Sequence, residues 1–78
     1  MRPKEPKIVL TFRSTTDAVA AEDYFMEKEI PGRIIPVPRD ISASCGLAWC
    51  GPVETAGDIE HAKLLGRVRI EGTFNLML

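Results

Sequence analysis

Hydrophobic and polar positions along this chain switch between two periods, and the switch points mark its elements. Lys7-Ile8-Val9-Leu10-Thr11-Phe12-Arg13 is a β-branched and aromatic run, which predicts a strand. Its apolar stretch is continuous, so the strand is expected near the centre of a sheet, covered at least in part on both faces. Ser14-Thr15-Thr16-Asp17 follows. It reads as a helix start, with Asp17 where a capping box usually has Glu. From there to Glu29, the spacing of Ala18, Ala21 and Phe25, with Val19 and Met26 beside them, predicts a helix. Glu22 and Glu29 interrupt the stripe, and Pro31-Gly32 ends it.

Gly32 to Val37 reads as a second strand. Pro36 and Pro38 have no backbone N–H to give, so this strand is expected at an edge, or ends at Ile35. A third strand is expected over Cys45–Cys50, stopped by Gly51-Pro52. A second helix is expected from Thr55 or Asp58 to Gly66, with Ile59, Ala62 and Leu65 facing inward. Val68 to Leu78 reads as the last strand, with Gly72 marking a bulge or bend. Strand, helix, strand, strand, helix, strand is the split pattern of ferredoxin-like domains. The expected fold class is therefore α+β, a ferredoxin-like sandwich with a four-stranded antiparallel sheet and both helices on one face. The other face would be bare and open to a partner. Residues 1–6, with two prolines and alternating charge, read as a flexible arm ahead of a single domain at 7–78.

Composition narrows the partners. A chain of 78 residues builds one core. A net charge of −1 argues against nucleic acid. Arg2, Lys4 and Lys7 read as a solvated arm rather than a phosphate grip. No apolar run approaches the roughly 20 residues of a membrane helix, and the front end lacks the apolar stretch of a signal peptide. The expectation is a cytoplasmic protein without membrane or nucleic-acid partners, whose two cysteines are reduced thiols.

The candidate chemistry lies in the loop from Pro36 to Gly46. Structural zinc needs four ligands at paired spacings, and the chain has two cysteines and one His. Copper-carrying domains of this topology place a Cys-x-x-Cys between the first strand and first helix. Thr11 to Thr15 holds no cysteine, so no metal or other cofactor is expected. Cys45 and Cys50 on one straight strand would have Cα atoms about 16 Å apart, too far for a bridge. Cys50 reads as an apolar filler, with a resolving thiol as the alternative. Cys45 is flanked by small residues and expected to be open to approach. Ser42, Ser44 and the amide of Gly46 would stabilise a thiolate there, with Arg39 and Arg33 adding positive potential. The competing reading is a plain core cysteine, and the residues alone leave both open. His61 reads as solvated on a surface helix. No hydrolase pattern and no phosphate loop is present.

Three segments carry a resemblance. Phe12, Ser14-Thr15-Thr16-Asp17-Ala18 and Ala21-Glu22 make the first. Ile30-Pro31-Gly32-Arg33 and Ile35-Pro36-Val37-Pro38-Arg39 make the second. Ile41-Ser42-Ala43-Ser44-Cys45-Gly46-Leu47-Ala48 is the third and most specific. Together they resemble the selenium/sulfur carrier protein-like domains. The resemblance implies a carrier rather than a turnover enzyme, with Cys45 holding a sulfane sulfur or selenium atom as a persulfide or its selenium counterpart. Its partners would be donor and acceptor proteins, with a second copy of the chain as a further candidate. The competing function is a binding or regulatory module that docks through its open sheet face.

Overall fold

The structure, a computed structural model, describes residues 4–78. Residues 1–3, the front of the expected arm with Arg2, lie outside the described residues. Strand β1 (Pro6–Thr11) runs through the middle of the sheet. It pairs antiparallel with β3 (Leu47–Pro52) on one side and β4 (Gly72–Met77) on the other. Strand β2 (Arg33–Pro36) pairs only with β3, which gives the order β2-β3-β1-β4. With helices α1 (Thr15–Glu27) and α2 (Ala56–Leu64), this is the α+β ferredoxin-like arrangement expected from the pattern. Among the described residues no helix is long and apolar enough to cross a membrane.

Local chemistry explains the helix boundaries. Ser14 caps α1, its hydroxyl oxygen accepting the Asp17 N–H at 3.2 Å. Ala18, Ala21 and Phe25 are fully buried, and the two small side chains let the helix approach the sheet closely. The helix stops before Pro31. The Ile30 N–H donates to Phe25 O and the Glu29 N–H to Met26 O, with Glu29 at φ 57°. That is a Schellman stop with a glutamate in the left-handed position. α2 ends the same way, Arg67 N–H to Ala62 O and Gly66 N–H to Lys63 O, with Gly66 at φ 70°. Glycine is unstrained there and glutamate is not. Glu29→Gly is therefore expected to stabilise the domain by about 1 kcal/mol, read from the midpoint of urea unfolding.

Three expectations are corrected in the second half. Leu65 does not face inward: it is the C-cap of α2, in helical backbone at the end of the last turn, and it is 56% exposed while Ile59 and Ala62 are buried. Strand pairing in the last segment begins at Gly72, not Val68. Val68 instead plugs the core from the connecting segment. The third strand starts at Leu47, leaving Cys45 in the loop.

The main core lies between the sheet and the helices. It holds Ile8, Leu10, Phe12, Ala18, Ala21, Phe25, Trp49, Ile59, Ala62 and Val68. Phe25 and Trp49 meet with ring centroids 4.5 Å apart. The other face is not bare, contrary to expectation. Val9, Ala48 and Ile41 form a second cluster there, with Ile35, Val37, Cys50 and Leu76 packed around it. The β2–β3 loop folds back and lays Ile41 over the sheet, which is why β1 can be apolar on both sides.

Candidate functional site

Antiparallel pairing of β1 with β3 puts the start of β3 beside the end of β1. The end of β1 leads directly into α1. The loop before β3 therefore closes onto the α1 N-terminus. Two backbone bonds hold it: the Cys45 N–H donates to Phe12 O at 3.2 Å, and the Val37 N–H to Gly46 O at 3.1 Å. The Cys45 sulfur then lies 3.7 Å from Thr15 Oγ1, at the first residue of α1. The Leu47 N–H donates to the same sulfur at 3.4 Å.

Cys45 is 7% exposed. An open thiol was expected, and this is a correction: the loop residues around it are small, but the loop folds its cysteine inward. The surroundings are nevertheless polar, a backbone donor, a hydroxyl and a helix N-terminus. Of the other sequence candidates, Gly46 lies next to the sulfur in the chain, and it is the Leu47 amide that donates to Sγ. Ser42 and Arg39 are exposed on the loop, and among the described residues neither bonds to the sulfur.

Ser44 has a different partner. Its backbone N–H donates to Glu71 Oε1 at 3.1 Å and its hydroxyl to Oε2 at 2.6 Å. Glu71 is itself fixed by its N–H to Thr11 O at 2.7 Å. The two carboxylate oxygens thus hold the residue before Cys45. The Ser44 hydroxyl, then the Ser44 amide, hold the Glu71 carboxyl below its ordinary range, with Arg13 adding to the effect. A lowered carboxyl keeps its grip at neutral pH and loses it as pH falls through that lowered value. A cleft of about 290 Å³ between Arg13, Asp17, Arg69 and Glu71 borders this contact.

Thr15, Leu47 and Glu71 escaped the sequence reading as site residues. Topology carries a signal for the first two, since a split βαβ order places the start of the third strand next to the first helix. Nothing local marks Glu71, which is 27 residues from Ser44.

Cys50 lies on the opposite face. It is directly across the β2–β3 ladder from Arg33 and lines a groove of about 700 Å³ that includes Lys7, Ile35 and Pro52. Arg33 is therefore near Cys50 rather than in the Cys45 loop. Both cysteines are free. Among the described residues no three His, Cys, Asp or Glu side chains gather to hold a metal ion.

Fold and site together define a small α+β domain that keeps one thiol at the start of a helix. The chain belongs to the family described as "Putative Se/S carrier protein-like", whose sequence profile matches residues 7–74. No curated protein and no solved structure matches it.

Proposed function

We propose that Cys45 carries a sulfane sulfur or selenium atom between a donor and an acceptor protein. The observation that supports this most is the sulfur's setting, an N–H donor at 3.4 Å beside the start of α1. Such a donor offers a hydrogen bond to the sulfur that would hold the transferred atom, and family membership points to the same cargo. In the transfer step, the Cys45 thiolate attacks the terminal sulfur of a donor persulfide. One S–S bond forms on Cys45, the donor's S–S bond breaks, and the donor cysteine leaves as thiolate with the electron pair. Onward transfer repeats the exchange with the acceptor's thiolate. The Leu47 amide and Thr15 hydroxyl would steady the sulfur, with Gly46 leaving room for the added atom. Ser42 and Arg39, exposed on the loop, would meet the partner, and Arg39 would steer the anionic cargo. Ser44, held by Glu71, would set the closed position of the loop.

The test is mass spectrometry after incubation with a cysteine desulfurase and cysteine. Wild type and Cys50→Ser are expected to gain one sulfur mass on the Cys45 peptide, reversible by dithiothreitol, and Cys45→Ser to gain none. No gain in wild type, or an equal gain in Cys45→Ser, rejects the reading.

A further inference from the structure

Strand β4 is an edge of the sheet, with β1 as its one neighbour. The register shows which of its backbone groups are left over. Glu5 and Leu78 exchange both N–H···O=C bonds, each at 2.9 Å. Such pairs alternate along an antiparallel ladder. In the register Lys7↔Leu76 and Val9↔Phe74, the N–H and C=O of Leu76 and Phe74 therefore turn toward β1. Those of Thr73, Asn75 and Met77 turn outward, and no backbone group among the described residues meets them.

Soluble proteins usually blunt such an edge with a charge, a proline or a bulge. The other edge does so: β2 carries Arg33 and Pro36, with Pro31 and Pro38 flanking it. β4 reads Gly-Thr-Phe-Asn-Leu-Met and has neither charge nor proline. Phe74, Met77 and Leu78 are exposed at 36%, 56% and 42%.

We propose that β4 pairs antiparallel with β4 of a second copy, about a two-fold axis through Asn75. The strand is self-complementary in that register, which is what selects this occupant over an unrelated strand. Thr73 stands opposite the partner's Met77, and Asn75 opposite the partner's Asn75, so every outward N–H and C=O of the three residues finds a mate. Phe74 falls against the partner's Leu76, and Leu76 against the partner's Phe74, an apolar pair on each side of the axis. No charged residue lies within the strand, so no like-charge pair arises. The Asn75 carboxamide has both donor and acceptor and can meet its own copy. The contact is isologous and closes at two subunits. It involves neither thiol and stands independently of the carrier reading.

Sedimentation of the full chain with reductant present tests it. Wild type is expected to run at twice 8.6 kDa. Asn75 is exposed, so Asn75→Lys and Asn75→Asp leave both apolar clusters untouched. Each sets like charges across the axis and is expected to weaken the dimer by about tenfold or more. Mixing the two variants is expected to restore it, because opposite charges then face each other, and restoration also shows that both fold. A wild-type monomer at high concentration overturns the proposal. So does a dimer unchanged in both variants, or a mixture that stays monomeric.

Discussion

Trp49→Ala is expected to remove about 3–5 kcal/mol of stability, most of what a domain this small possesses. Trp49 is 1% exposed and packs at a tilt against Phe25, which is fully buried. The rest of its enclosure is made of absence. A Cβ built on Gly32 or Gly51 would land inside the indole. Those two glycines form a slot in which the ring lies, and the ring sits where their side chains would have been. Truncating it leaves a void that glycine backbones cannot fill, since closing it would require β2 and β3 to shift. The converse change fails too. At Gly51 the added methyl meets the ring on one side and the Pro31 carbonyl oxygen, 2.9 Å away, on the other. Gly51→Ala is thus expected to cost about 1–3 kcal/mol as overpacking. Urea unfolding followed by circular dichroism reads both. A Trp49→Ala midpoint close to wild type would show that the slot collapses freely and that this account of the core is wrong.

Glu71→Gln is expected to speed alkylation of Cys45 several-fold at neutral pH while leaving Cys50 unchanged. The carboxylate holds Ser44 by two bonds, and Ser44 is the residue before the buried thiol. Glutamine keeps one acceptor oxygen for the Ser44 N–H and can only donate to the Ser44 hydroxyl, so two charge-assisted bonds become two weaker neutral ones. Reagent reaches Cys45 in the minor, opened state of the loop, so reactivity follows the population of that state. Ser44→Ala removes the shorter bond and is expected to move the rate in the same direction. Peptide-resolved alkylation distinguishes the two thiols, with Cys50, on the far face, as the internal control. Equal rates for Cys45 in wild type and both variants would show that the Ser44–Glu71 contact does not govern access.

Much of this fold was legible because local signals and tertiary use agree. The Ser14 cap, the Ala18-Ala21-Phe25 stripe and the prolines around β2 each have one physical meaning, and the chain uses it. The misreadings come where two meanings compete. Val68 and Ile70 alternate with charge like a strand, yet Val68 serves as a plug in a connecting segment. Leu65 follows the helical period, but it sits at the C-cap, at the end of the last turn, and stays 56% exposed. Ile41 sits among turn residues, so nothing in its neighbours says that it will cover Val9 and Ala48. The thiol stood out from composition, whereas its burial did not. The buried sulfur meets Thr15, and the residue before it is held by Glu71, contacts that join segments 30 and 27 residues apart. Glu29 in a left-handed position is invisible in the same way, since its geometry is imposed by bonds from Ile30 and from its own amide.

The slot that encloses Trp49 also gives the protein an optical gauge. The chain has one tryptophan, so its whole indole emission comes from that dry place. Global melting wets the ring and shifts the emission to the red. Movement of the loop that covers Cys45 leaves the contacts with Phe25, Gly32 and Gly51 intact and the colour constant. Fluorescence therefore separates a domain that has come apart from one that has only uncovered its sulfur, without any dye attached.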